Sequence, residues 1–529
     1  MTSSTDSRRA VPEPDAHHAA AEPGRRAGLL SLLPGLLALA LCLYQAGRPQ
    51  LWRDEFASAS ASSRSFGQLF GLLGKVDAST GFYYLLLHSW TSVFGSSAVA
   101  LRTPSAIAMA GAAVLVTQIG ARLYGRAGGL VFAVIPAVSR YGQEARAYAL
   151  ALFAVALATL LLLRALERPG RARWIGYAAA VLLVCAAHVV AVSCLAGHVV
   201  AVWLHWRRER DRRVPRWFLG SAVVALLIAA PLMLLAHSQV NSQLTWLARP
   251  DLARPQQLVP DLWIDLYASR IGALIGAALV ALGVLLSLLR KRNRAATLFL
   301  LAAGTLPVIV VALISELGTS YFLARYLLFT DISWSVLAGA GLVGAVRELA
   351  ARVRLPQGGR RITLPLAALA AVALGLLAVW PNQAGIRTYG AHEWTHYPRG
   401  TNPHYIAYQG AADVLAKRAQ PGDGVVYLGY NPIMVNLGVP YYLGSRVSLD
   451  QVFVARTPVQ DDGYYPQFCR SQAACLAKAP DRVWVVELAA QGGEPAAEKT
   501  QKKLLHKQYR VSTEYHLSQI NVSLLVRTS

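Results

Sequence analysis

Residues 195–235 read LAGHVVAVWLHWRRERDRRVPRWFLGSAVVALLIAAPLMLL. An apolar run ends in Arg207, Arg208, Arg210, Arg212 and Arg213, and a second apolar run, Phe218 to Leu235, follows at once. Runs of this kind approach the roughly 20 residues that cross a bilayer. Arginines crowded between two of them mark the cytoplasmic end of both, because translocating such charges is unfavourable.

The same alternation extends in both directions. Toward the N-terminus, Trp174 to Trp206 holds two short spans turning near His188, preceded by the basic cluster Arg164, Arg168, Arg171 and Arg173 and the span Tyr148–Leu163. Leu130–Val138, Pro104–Ala121 and Leu29–Leu43 come before these, with Arg122 and Arg126, then Arg25 and Arg26, at their inner ends. Phe82 to Trp90 is too short to span and reads as a helix lying in the interface. Toward the C-terminus, Ile271–Leu289, Ala296–Ile314, Leu327–Val346 and Leu364–Trp380 alternate with the clusters 290–294 and 347–361. The pattern predicts an α-helical polytopic membrane protein with about 11 transmembrane helices, every dense arginine cluster falling inside.

Composition agrees. Of 529 residues, 55% are hydrophobic and only 15% are charged, against about 25% charged in soluble domains. A net charge of +23 would suggest nucleic acid in a soluble protein. Here the arginines serve as topology signals, which excludes that class. Three parts follow. Residues 1–27, rich in Pro, Ala, His and charge, form a disordered cytoplasmic tail. Residues 28–380 form the transmembrane domain. Residues 381–529 form an extracytoplasmic α/β domain, with strands at Val425–Leu428, Val483–Val486 and Arg510–Val526. No internal repeat is visible. Cys42, Cys185 and Cys194 lie in apolar runs as packing residues. Cys469 and Cys475, close together on the expected outer side, can pair as a short-loop disulfide.

The polar residues of the outer loops converge on one membrane face. Asp54 and Glu55 follow the first span, where a carboxylate can act as general base toward an attacking hydroxyl, or can merely pair with Arg53. Glu144, Arg146 and Tyr148 sit where an outer loop meets a span, at a depth where charges are paired or functional. Arg325 stands between aromatic residues in Ser320–Tyr326, and its planar fork matches phosphate oxygens, although a snorkelling anchor explains it nearly as well. Asp77 and His88, binding candidates, lie with Lys75 and Arg102 in the first outer loop and all four are weaker; His188, at an outer turn, can be merely a packed histidine. No P-loop, dinucleotide fingerprint, HExxH or GxSxG occurs. No cofactor is called for. A divalent metal beside Asp54 can be accommodated, but no dedicated ligand cluster is visible.

Taken together, Trp52-Arg53-Asp54-Glu55, Phe82 to Trp90, Leu101-Arg102-Thr103-Pro104-Ser105, Gln143 to Tyr148 and Ala324-Arg325-Tyr326 resemble the glycosyltransferase C superfamily, and within it the family 39-like bacterial membrane proteins. The resemblance covers about residues 28 to 380. It implies inverting transfer of a sugar, such as mannose or arabinofuranose, from a polyprenyl-phosphate donor to a cell-envelope glycan or glycolipid outside the cytoplasm. By that resemblance Asp54 is the general base, Glu55 supports it or the acceptor, and Arg325 with Arg146 holds the donor phosphate. Protein O-mannosyltransferases and aminoarabinose transferases carry a proline- or lysine-containing motif just before the Tyr-Tyr segment. Asp77-Ala78-Ser79-Thr80-Gly81 stands there instead, so the resemblance does not extend to a protein mannosyltransferase. Two other readings use the same residues: a lipid-linked sugar transporter without transfer chemistry, and a membrane-anchored binding protein whose outer domain is the working part.

Overall fold

The computed structural model describes residues 30–290, 293–352, 357–390, 405–429, 434–489 and 495–528. The expected tail over 1–27 lies outside them. Eight helices among the described residues are long and apolar enough to cross a membrane: Ala98–Leu123, Tyr148–Glu167, Val189–Glu209, Arg213–Ser238, Arg270–Leu289, Arg294–Leu317, Leu328–Arg352 and Thr363–Gly385. Leu366, Leu369, Leu374 and Leu377 on the last of these point outward, an apolar surface that requires lipid. The chain is a multi-pass membrane protein.

The remaining three expected spans are shorter. Leu32–Leu43, which we label α1, has 12 residues and Arg171–Ala187 has 17. The segment expected at Leu130–Val138 is broken into Ala127–Val134 and Pro136–Gly142. Pro136 supplies no N–H and forces Ile135 out of the helical region, to φ −62° and ψ 125°. His188 marks the turn between the paired spans, and a 3-10 stretch, Val189–Cys194, links them.

Small residues let the spanning helices approach closely, as helices without a water-driven force require. Gly283 and Gly341 pack face to face, so that a Cβ on Gly341 would lie 2.0 Å from the Leu279 carbonyl oxygen. The alanine-rich Tyr148–Glu167 helix runs through the middle of the core, with Ala149, Ala154, Ala156 and Ala158 fully buried.

Between the first two of these segments the chain forms three helices: α2 (Arg53–Ser62), α3 (Phe66–Lys75) and α4 (Gly81–Phe94). Ser65 and Gln68 cap α3 reciprocally. The C-terminal region holds a five-stranded mixed sheet in the order β2-β1-β5-β7-β6. Its strands are β1 (Gly424–Leu428), β2 (Asp450–Gln451), β5 (Arg482–Leu488), β6 (Tyr509–Leu517) and β7 (Ile520–Arg527); β3 (Val454–Arg456) and β4 (Gln467–Phe468) pair separately. The alternating stretch 510–526 is two antiparallel strands rather than one, because the chain turns at Ser518 and Gln519, the latter with φ 59°. Cys469 and Cys475 form a disulfide, and the other three cysteines are free and buried.

A shared hydrophobic core fastens this region to α2, α3 and α4. Phe56 on α2 packs its ring against Tyr408, Tyr441 and Tyr442, and Leu51 N–H donates to the Tyr442 hydroxyl at 2.7 Å.

Candidate active site

The site is built on the first turn of α2. Trp52, in an extended conformation, precedes the helix and places Asp54 in its first turn, where the N-terminal dipole favours a carboxylate. Arg53 Nε donates to Asp54 Oδ1 at 3.1 Å, and Arg325 Nη2 stands 3.8 Å from Oδ2. Burial pushes the Asp54 carboxyl up, but Arg53, Arg146 and Arg325 together outweigh it and hold the group below the usual carboxylate range. Asp54 is therefore ionised at neutral pH and keeps 13% of its side chain accessible.

Arg325 belongs to a short 3-10 turn, Ala324–Tyr326, and is 4% exposed at its side chain. Trp52, Tyr148, Trp246 and Tyr326 surround its guanidinium with ring centroids 5.6–5.9 Å away. Aromatic faces stabilise the cation without satisfying its N–H groups. Arg325 Nε is buried and makes no hydrogen bond within the protein.

Asp77, in the left-handed region at φ 59°, accepts at Oδ2 from the Tyr84 hydroxyl (2.6 Å) and the Tyr464 hydroxyl (2.9 Å). Arg146 Nη1 donates to the Tyr84 oxygen at 2.8 Å and lies 3.7 Å from Asp77 Oδ2. Its Nε, too, is buried without a partner. His188 sits between the Tyr148 and Tyr326 rings, at 5.9 and 4.8 Å. Burial, reinforced by Arg146 and Arg325, pushes its imidazole down to about 4, so it is neutral at pH 7.

Arg53, Arg146 and Arg325 thus cluster with Asp54 and Asp77. An excess of cation with unspent N–H donors is a receptor for an anion, and the ionised Asp54 beside it is a proton acceptor.

The family model described as dolichyl-phosphate-mannose-protein mannosyltransferase matches residues 81–234. The crystal structure of ArnT from Cupriavidus metallidurans in the apo state superposes with a TM-score of 0.60 at 14% identity, covering 94% of this chain and 98% of that one. The same protein bound to undecaprenyl phosphate gives a TM-score of 0.57 at 14% identity, covering 94% and 97%. This chain has the glycosyltransferase C fold. No curated protein sequence matches it. The fold and the family match support a membrane glycosyltransferase.

The matched stretch includes Tyr84, Arg146, Tyr148 and His188, while Asp54, Asp77 and Arg325 lie beyond its ends. The structure brings Asp54, Asp77, Arg146, Tyr148 and Arg325 together. Glu55 is near in sequence but faces inward. It is fully buried, bound by Arg102 at 2.6 and 2.8 Å and by the Ala145 amide at 3.0 Å. Arg102 also donates to the Pro49 and Gln50 carbonyls, so this pair ties α2, Ala98–Leu123 and the 143–147 turn into one frame. Glu144, fully buried against Arg140 at 2.6 Å, lies beneath the site, and its carboxyl is raised because burial outweighs Arg140 and Arg325. His88 turns the other way, to the Ser62 carbonyl at 3.0 Å and the Phe66 ring. Lys75 binds the Asp461 carbonyl at 2.8 Å. Trp52, Tyr84 and Tyr326 lie in the motifs quoted from the sequence but were given no role there. Trp246 and Tyr464 were not singled out by sequence reasoning, and Tyr464 carries no local signal.

Proposed function

We propose that the protein is an inverting glycosyltransferase that moves a sugar from a polyprenyl-phosphate donor to a cell-envelope acceptor outside the cytoplasm. The observation that carries this reading is the pairing of an ionised, partly accessible Asp54 with the guanidiniums of Arg325 and Arg146, each with a buried, unpartnered Nε.

In this reading Asp54 takes the proton from the acceptor hydroxyl as its oxygen attacks the anomeric carbon. The bond from that carbon to the phosphate oxygen breaks, and its electron pair stays with the lipid phosphate. Arg325 and Arg146 face the negative charge that grows there, and fixed cations aimed at developing charge lower the barrier most in a water-poor site. Binding the phosphate also offsets the cations that depress Asp54, which makes it a better base when donor is present. The aromatic walls of Trp52, Tyr148, Trp246 and Tyr326 keep Arg325 from collapsing onto Asp54.

A divalent metal fits this donor set poorly. Each carboxylate already faces guanidiniums or phenols, the local charge is positive, and among the described residues no group of three or more His, Cys, Asp or Glu converges. No step of the proposed reaction passes through one. The Cys469–Cys475 disulfide supports an oxidising location for the C-terminal domain, with the N-terminus and the arginine clusters in the cytoplasm.

The reading is tested by offering labelled sugar either on a polyprenyl phosphate or on a nucleotide to membranes containing the protein and stripped of endogenous lipid donors. Label is expected in envelope acceptors only from the lipid donor. Equal incorporation from the nucleotide sugar would overturn it.

A further inference from the structure

We propose that Tyr464, contributed by the C-terminal domain, is a positioning residue that keeps Arg146 available for the donor phosphate; this rests on the donor reading above. Tyr464 lies 387 residues from Asp77 yet donates to its Oδ2 at 2.9 Å. It is 5% exposed. The loop that carries it is fastened from several sides. Buried Arg64 donates to the carbonyl of Gly463 and, at 3.4 Å, to that of Pro458. Lys75 holds the Asp461 carbonyl at 2.8 Å, and Asn436 Nδ2 donates to the Tyr464 carbonyl at 2.9 Å.

The consequence lies in how Asp77 Oδ2 is used. Two phenols, Tyr84 and Tyr464, already donate to this oxygen. Arg146 Nη1 stops 3.7 Å short of it and donates to Tyr84 instead. That distance is an ion pair without a hydrogen bond. Arg146 is thereby held in place by charge but not consumed by its neighbour, and its buried Nε stays without a partner. Without the Tyr464 hydroxyl, Oδ2 loses a donor and the guanidinium closes onto it. A bidentate pair with Asp77 would then compete with the ligand phosphate.

The test uses the full-length protein in nanodiscs with undecaprenyl phosphate as probe, comparing wild type, Tyr464→Phe and Lys75→Ala. Lys75→Ala removes another contact of the same loop while leaving the hydroxyl in place. Tyr464→Phe is expected to raise the Kd about tenfold, the scale of one hydrogen bond to a charged group. Lys75→Ala should bind as wild type, and all three should share a thermal midpoint. Equal affinity of wild type and Tyr464→Phe overturns the inference alone. A loss as large in Lys75→Ala overturns it in favour of simple loop docking. Absence of binding by the wild type overturns the donor reading and this inference with it.

Discussion

Asp54 is governed by opposing influences, burial against three guanidiniums, and the cations prevail. A carboxyl so depressed keeps its charge until the pH falls through its lowered value; the activity it supports is present above that value and lost below it. The acid limb of kcat/KM, which reports free enzyme, is expected below the ordinary carboxylate range. The acid limb of kcat, which reports the donor complex, should lie higher, because the bound phosphate offsets Arg325 and Arg146. A pH–rate profile checks both, and a kcat/KM limb at or above the ordinary range would count against Asp54 as base. His188, neutral at pH 7, adds no third cation for the phosphate. At this scale the sequence was informative wherever a charge interrupted an apolar run, since such a charge needs a reason to be there. That is how Asp54, Arg146 and Arg325 stood out, whereas Asp77 was a weaker candidate in the first outer loop. It could not separate Asp54 from Glu55, because adjacent residues on a helix point about 100° apart. Which of them faces Arg325 and Arg146 depends on the buried partner of Glu55, Arg102, 47 residues on.

Among the elements, apolar run length fixed most spans, while local breaks did not show. Pro136 divides one expected span, and the Ser518–Gln519 turn divides one expected strand. Helix contacts depend on small residues whose role is visible only in packing. Gly341 meets the Leu279 carbonyl oxygen so closely that a methyl group would force the helices apart, whereas Gly375, on the Thr363–Gly385 helix, has nothing within 4 Å of a Cβ. Gly341→Ala is therefore expected to cost about 1–3 kcal/mol through overpacking, and Gly375→Ala to be neutral or slightly stabilising. Thermal midpoints in one detergent compare them, and equal midpoints would mean that the Gly283–Gly341 contact is not tight.

At the scale of the whole molecule, α2 to α4 and the C-terminal region form one body around the site, through Phe56 and its tyrosines and through Tyr464. The sequence announced both parts but not their joint, because contacts between residues hundreds apart leave no periodicity. The positive-inside pattern supports the proposed outside location of the domain. The native cysteines are buried or bonded, so single introduced cysteines report topology. Lys499→Cys is expected to react with an impermeant maleimide in intact cells, and Arg212→Cys only after permeabilisation; the reverse pattern would invert the proposed orientation. The central claim is transfer chemistry at Asp54, and it separates an enzyme from a carrier built on the same polar groups. The most direct measurement is incorporation of radiolabelled sugar from a defined polyprenyl-phosphate donor into envelope acceptors by wild type and by Asp54→Asn, matched for folding and membrane content. The account predicts incorporation by wild type and a loss of at least about a hundredfold in the variant, the lower end of what a positioned base contributes. Incorporation by Asp54→Asn at the wild-type rate would contradict it.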